Sequence, residues 1–297
     1  MQQSIQHNKK YKSMFFDLDG TLLGSSRVLH PDTRRELARA KERGDRIYLC
    51  SGRPPVYLLN DICRVFPFDG MVACAGGVVY VGDEKIYENR IPPEVFEETC
   101  RLLGECGAAM QFDTAEGTYF TRECMAGFGK ILEDAGIFPA GMEEKMAREN
   151  EELERLGINR LMSSWTEDIP VQKIVFTAVD RSGLDRNMDR FKKHFAVNPF
   201  FQTPKGIAGE LIPLDCTKEH GIRKVLEYTG ASWEGTAGFG DSLNDLEMLQ
   251  AVRIKVAAVY APEEVRAAAD YLFEDPDQGG LARVLRKIEE DETVDRT

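Results

Sequence analysis

Two aspartates one residue apart close a short apolar run near the start of the chain: Met14-Phe15-Phe16-Asp17-Leu18-Asp19-Gly20-Thr21. An apolar run leading into acidic residues reads as a buried strand whose C-terminal end opens into a site. Residues i and i+2 of an extended segment point to the same side, so Asp17 and Asp19 can face one space. Gly20 frees the backbone to turn, and Thr21 sets a hydroxyl beside the pair. Two carboxylates at one reacting centre divide the labour: one is nucleophile or cation ligand, the other carries the proton. The same residues are also compatible with a plain Asp-Gly turn.

A second acidic cluster has the same form. Thr236-Ala237-Gly238-Phe239-Gly240 runs into Asp241-Ser242-Leu243-Asn244-Asp245. Asp241 and Asp245 are four apart and share a face if a helix starts here, with Asn244 alongside. Ordinary N-capping would use the same residues. In a parallel sheet the C-terminal strand ends collect on one edge, which brings the two clusters together. Asp17, Asp19, Asp241 and Asp245 would repel one another there without a cation, and oxygen ligands in that number suit Mg²⁺. Two smaller signals lie between them. Arg46-Ile47-Tyr48-Leu49-Cys50 ends in Ser51-Gly52-Arg53, with Pro54 and Pro55 opening a helix. A hydroxyl and free N–H groups at such a point can hold a phosphate. Lys218 opens the helix-like stretch Lys218–Thr229, against the helix dipole, which marks it as a candidate anion partner, although a solvated surface lysine would read the same way.

The elements that must position these groups alternate. Strands are expected at Ser13–Phe16, Arg46–Cys50 and Gly70–Cys74, with helices at Asp32–Arg43 and Pro55–Val65 between them. A hairpin is expected at Val78–Tyr80 and Lys85–Tyr87, around Gly82-Asp83. This β-α-β-α-β order calls for a parallel sheet in an α/β fold. The alternation changes after Ile91-Pro92-Pro93. A helix is expected at Glu94–Cys106, strands at Met110–Phe112 and Thr118–Phe120, and a solvated helix at Met142–Leu156. Then come a strong strand at Val171–Ala178, a helix at Leu184–Phe195 and strands at Phe200–Thr203 and Gly209–Ile212. After Lys218 the expected order is strand Gly235–Gly240, helix Leu243–Val252, strand Ile254–Val259 and helix Leu281–Glu290. A frayed acidic tail is expected over Glu289–Asp295.

Taken in order, Asp17-Leu18-Asp19-Gly20-Thr21, Ser51-Gly52-Arg53, Lys218 and Gly240-Asp241-Ser242-Leu243-Asn244-Asp245 resemble the four motifs of the haloacid dehalogenase superfamily of phosphohydrolases. The long stretch between the second and third motifs resembles the Cof-type subgroup, whose α/β cap is large. The resemblance implies a Rossmann-like parallel-sheet core with an inserted α/β cap. We draw these as residues 1–91 plus 204–297 and residues 92–203. It further implies a Mg²⁺-dependent phosphatase acting on a small phosphorylated metabolite (a sugar phosphate, a nucleotide or a cofactor precursor) through an aspartyl-phosphate. Asp17 would be the nucleophile, Asp19 the proton carrier and Lys218 the balancing cation. Thr21, Ser51, Gly52 and Asn244 would hold the phosphate, and Asp17, Asp19, Asp241 and Asp245 the metal. A phosphotransferase or phosphomutase would share these motifs, and a non-catalytic ligand-binding protein can use the same fold. Two departures stand out: Ala75-Gly76-Gly77 where the subgroup often has Asn-Gly-Ala, and Tyr260 where it usually has Asn.

Composition narrows the partners. The 297 residues carry a net charge of −12, from 38 basic and 50 acidic side chains. That argues against nucleic acid or an anionic membrane as partner. No apolar run approaches the roughly 20 residues of a membrane span. Met1–Ser13 is polar, lacks a signal-peptide core and is expected to be a disordered lead-in. Seven cysteines, without a Cys-x-x-Cys pair, fit a reducing cytoplasm better than a disulfide frame or zinc site. His220, two residues past Lys218, could approach the expected site, but a surface or core place is the expectation for it.

Overall fold

The computed structural model describes residues 13–122, 124, 151–178, 181–203 and 206–294. The polar lead-in before Ser13 and most of the helix expected over Met142–Leu156 lie outside them.

The first sheet starts from short, mostly apolar strands that alternate with helices and ends in a hairpin. In chain order these are β1 (Ser13–Phe16), α1 (Pro31–Glu42), β2 (Arg46–Cys50), α2 (Pro55–Asn60), β3 (Gly70–Ala73), β4 (Val78–Val81) and β5 (Glu84–Glu88). Pro31 sits where its missing N–H costs nothing, and the His30 ring accepts from the Asp32 N–H to cap α1. The helix expected over Pro55–Val65 breaks at Asp61, and a 3₁₀ turn, Ile62–Arg64, completes it. A second sheet comes next: α3 (Pro93–Glu105), β6 (Ala109–Thr114), β7 (Gly117–Phe120), β8 (Asn159–Leu161), β9 (Lys173–Ala178), α4 (Arg181–Phe191), β10 (Phe195–Thr203) and β11 (Gly206–Pro213). The chain then returns to the first sheet with α5 (Lys218–Thr229), β12 (Thr236–Gly240), α6 (Leu246–Ala251), β13 (Ile254–Ala258), α7 (Glu263–Ala267), β14 (Tyr271–Phe273) and α8 (Gly280–Val294).

The first sheet has the order β14-β13-β12-β1-β2-β3-β4-β5. It is parallel from β14 to β3, and the β4–β5 hairpin adds two antiparallel strands. The chain therefore has the expected α/β class, with β1 at the centre. Strands buried on both faces need continuous apolar sequence, which is what β1 and β12 supply. Phe16 stacks on Phe239 of the neighbouring strand with ring centroids 4.1 Å apart. Burying each such ring contributes about 2 kcal/mol.

The second sheet has the order β10-β11-β9-β6-β7-β8 and its own apolar core, which includes Phe112, Phe176, Phe195 and Leu211. β11 pairs with both β10 and β9. The sheet thus runs to Pro213, past the boundary of 203 drawn from the sequence, which falls in the hairpin between β10 and β11. Other differences are local. Residues 243–245 form a 3₁₀ turn before α6, and α4 starts at Arg181 and ends at Phe191. α8 extends through Val294, so most of the acidic tail expected to fray is helical. β8, α7 and β14 are short elements without an expected counterpart.

Candidate active site

β1 and β12 are parallel neighbours with Phe16 opposite Phe239, so the loops leaving the two strands emerge side by side. Asp17 continues the ladder by one bond, its N–H donating to Phe239 O at 2.9 Å. Next to it the chain must turn within a crowded space. Gly20 has φ +91°, and a Cβ there would lie 2.3 Å from Asp241 Oδ2. Only glycine lets the first loop and Asp241 approach this closely. Gly240 is required for the same reason, since a Cβ would lie 2.5 Å from the Asp245 side chain.

Lys218 reaches the centre from α5. Thr217 caps that helix, its hydroxyl accepting from the His220 N–H at 3.1 Å. The buried Lys218 Nζ donates to Asp17 Oδ1 at 2.6 Å and to Asp245 Oδ1 at 2.5 Å. Burial alone would lower the lysine pKa, but the charges of Asp17 and Asp245 outweigh it and hold the ammonium charged well past neutrality. The two carboxylates also offset its unfavourable place at a helix start.

Asp245 is fully committed. Its second oxygen accepts from the N–H groups of Asp241 and Ser242, each at 3.0 Å, and from the Ser242 hydroxyl at 3.2 Å. Asp17 is not. Its Oδ2 is buried and receives no donor. Burial pushes the Asp17 carboxyl well above the usual carboxylate range; Lys218 opposes this, and the charges of Asp245 and Asp241 add to it. Asp241 is pushed up to about 6, by burial first and then by Asp245. Among the described residues, Asp17, Asp241 and Asp245 each bring one oxygen within 4.8 Å of the others. An unpartnered buried oxygen and carboxylates destabilised by one another fit a hard divalent cation.

The remaining expected residues gather around this centre. A cleft of about 400 Å³ is lined on the first-sheet side by Asp17, Asp19, Ser51, Gly52, Arg53, Ser242 and Asn244. From the second sheet come Gln111, Asp113, Lys173, Val175 and Glu210, among others. Asn244 is exposed, its Oδ1 accepting from the Ser242 hydroxyl at 2.8 Å. Thr21, expected on the phosphate, donates its hydroxyl to Asp241 Oδ1 at 3.2 Å and is fully buried. His220 packs its ring against Tyr87, with centroids 5.2 Å apart. Tyr260, the departure from the subgroup pattern, donates its hydroxyl to Gly20 O at 2.5 Å and so braces the first loop.

Two features went unassigned in the sequence. The Arg53 guanidinium forks onto Asp19, Nε to Oδ2 at 2.8 Å and Nη2 to Oδ1 at 2.5 Å. Arg53 belonged to a recognised motif, but its partner is 34 residues away and no local pattern names it. The second is Lys173, a charge inside the strongly apolar run Val171–Ala178, buried against Asp113 and Glu210. A lysine in a buried strand was the available signal.

Known proteins resemble this chain over most of its length. A family model described as haloacid dehalogenase-like hydrolase matches residues 14–285. YkrA of Bacillus subtilis is 24% identical over 281 residues, covering 93% of this chain and 97% of its own. A phosphoglycolate phosphatase of Methanothermobacter thermautotrophicus is 22% identical over 279 residues, covering 93% and 98%. The solved structure of the subclass IIB sugar phosphatase BT4131 superposes with a TM-score of 0.71 at 22% identity, covering 94% of this chain and 99% of that one. With the motif residues gathered at the strand ends and the family match spanning nearly the whole length, the chain belongs to the haloacid dehalogenase-like hydrolases.

Proposed function

We propose that the chain is a phosphatase that releases phosphate from a small phosphorylated metabolite through an aspartyl-phosphate on Asp17. The observation that carries this reading is the state of the Asp17 carboxylate. One oxygen is held by Lys218, while the other is buried, without a donor, beside Asp241 at the floor of a cleft. Relatives bearing the names phosphoglycolate phosphatase and sugar phosphatase support the reaction class. Their names share a small phosphorylated substrate.

Asp17 attacks phosphorus, and the ester P–O bond breaks as the new P–O bond forms. The departing alkoxide takes a proton from Asp19. Water then attacks the aspartyl-phosphate, giving its proton back to Asp19, and the bond to Asp17 breaks to release phosphate. Lys218 favours the ionised form of Asp17 against the effect of burial and holds it in place. The Ser51 hydroxyl, the Gly52 N–H and Asn244 hold the phosphoryl oxygens, and Thr21 orients Asp241. Asp17, Asp241 and the Asp19 carbonyl would hold Mg²⁺, with Asp245 organising the loop around it; the ion, when bound, neutralises phosphoryl charge. The inserted unit, on this reading, spans residues 92–213, because β11 pairs inside the second sheet, and it covers the cleft against water. Among the described residues no helix is long and apolar enough to cross a membrane, which fits a metabolite substrate and a cytoplasmic site of action.

The test is Asp17→Asn, which keeps the shape and removes the attacking charge. A loss of at least about a thousandfold in phosphate release is expected, with the circular dichroism spectrum unchanged. Near-normal release by the purified variant removes Asp17 from its role.

A further inference from the structure

The loop Ser51-Gly52-Arg53 carries the groups assigned to the phosphate and the arginine that grips Asp19, and all three of its carbonyls are held from outside. Ser51 O accepts from the Ala75 N–H and Arg53 O from the Cys74 N–H, each at 3.0 Å. Those donors come from a strained turn: Cys74 and Ala75 have φ +49° and +55°, left-handed values that side-chain-bearing residues adopt at a cost of about 1–2 kcal/mol each. The middle carbonyl, Gly52 O, is held by the second sheet. It accepts from Lys173 Nζ at 2.8 Å.

Lys173 is held in place for this contact. Its ammonium has three hydrogens, and three acceptors surround it: Gly52 O, Glu210 Oε2 at 3.0 Å and Asp113 Oδ2 at 3.2 Å. Asp113 lies opposite Lys173 in the β6–β9 register, and Glu210 comes from β11 on the other side of β9. All three side chains are more than nine-tenths buried. Asp113 is in turn satisfied by Gln111 Nε2 at 2.9 Å and the Thr118 hydroxyl at 3.1 Å. The charge of Lys173 is met by two buried carboxylates, and its ammonium donates to Gly52 O. Its position in the cleft wall therefore does not make it a reader of the leaving group.

We propose that Lys173 is a positioning residue for the phosphate-binding loop: it sets the Gly52 carbonyl, and through it the orientation of Ser51 and Arg53, from the opposite sheet. The proposal rests on the phosphatase reading above. It makes one residue of the inserted unit part of the phosphate chemistry, whatever ester is cleaved. A mispositioned loop lowers the rate of the chemical step, and outer partners of this kind are worth about 10–100-fold.

The experiment compares kcat and KM for 4-nitrophenyl phosphate, an ester too small to need the second sheet for recognition. Lys173→Met is expected to lose about 10–100-fold in kcat with KM within about threefold. Because this variant leaves two buried carboxylates unpaired, a neutral companion, Asp113→Asn/Lys173→Met/Glu210→Gln, carries the same test if the single variant does not fold. Tyr57→Phe is the control. It breaks another contact with the second sheet, the Tyr57 hydroxyl of α2 on Asn159 Oδ1, while leaving the Lys173–Gly52 bond in place, and is expected to keep kcat within about twofold. A folded Lys173 variant with unchanged kcat overturns the proposal, and so does an equal fall in Tyr57→Phe, which would mean that any loosening of the second sheet is enough. Absence of phosphate release from every ester by the unmodified protein is a different result: it refutes the phosphatase reading itself.

Discussion

Lys218→Met isolates the electrostatic arrangement at the centre. The ammonium sits 2.6 Å from Asp17 Oδ1 and 2.5 Å from Asp245 Oδ1, and the three side chains are 1%, 9% and 0% exposed. Solvent cannot screen what is left when the charge is removed. Methionine fills the same channel but leaves two buried carboxylates facing each other beside Asp241. Breaking a buried pair by removing one partner costs about 3–5 kcal/mol, well above the roughly 0–1 kcal/mol of an exposed pair. For a domain of this size each kcal/mol moves the melting temperature by about 2–4 °C, so the variant should melt roughly 6–20 °C lower. The sign of the pH dependence is set by the same contacts. Lys218 is what opposes the upward shift of Asp17 and Asp241. Without it both carboxyls bind protons more readily, and protonation removes the repulsion. The deficit should therefore be largest at high pH and shrink as pH falls, beginning above the value of about 6 that Asp241 has with Lys218 in place. Excess Mg²⁺ should recover part of it by supplying another positive charge. The assay is thermal unfolding in metal-free buffer across this pH range, with the exposed Lys192→Met as control. A Lys218→Met protein melting within about 2 °C of the unmodified one at pH 7.5 would refute the buried triad as the organiser of the site.

Three further outcomes are expected from the same geometry. Chelation should abolish phosphate release and Mg²⁺ restore it; full activity in metal-free buffer would show that the carboxylates serve another purpose. Mg²⁺ should raise the melting temperature more at pH 7.5 than at pH 5: Asp17 and Asp241, raised above their unfolded values, make the ion-free protein less stable as pH rises through about 6, and the cation offsets that loss. A Mg²⁺ effect independent of pH would contradict the raised Asp241. Gly20→Ala should weaken Mg²⁺ stabilisation at least tenfold in apparent affinity, because its Cβ would meet Asp241 Oδ2 at 2.3 Å in a left-handed backbone; unchanged affinity by calorimetry would mean that this loop yields freely.

What the sequence made legible is what one strand and its end encode. The continuous apolar run of β1, the aspartates after it and the glycine that must turn are contiguous, and their physical reasons are local. The second acidic cluster repeats that pattern, and parallel-sheet logic alone puts the two together. What was missed involves partners distant in the chain. The Arg53–Asp19 fork and the Lys173–Gly52 contact span 34 and 121 residues. The strained pair Cys74-Ala75 was invisible because neither residue advertises a left-handed backbone, whereas the glycines of Ala75-Gly76-Gly77 point to a turn one residue later. The reach of the second sheet past residue 203 was hidden for a related reason. β10 and β11 form a hairpin whose second strand lies between β10 and β9, and only its pairing, not its composition, assigns β11 to the second sheet.

The two sheets treat buried charge by the same rule but to opposite ends. Near Asp17, one ammonium faces three carboxylates and a donorless oxygen, so the cluster is short of positive charge and of hydrogens. Around Lys173, one ammonium is paired with two carboxylates and donates to the Gly52 carbonyl. A buried polar cluster that is incomplete is costly unless something arrives to complete it, whereas a satisfied one rigidifies what it touches. The first cluster is thus suited to taking up a cation and a phosphoryl group, and the second to holding a loop still. Their point of contact is the Ser51-Gly52-Arg53 loop, which is where a change in the second sheet would be felt by the chemistry of the first.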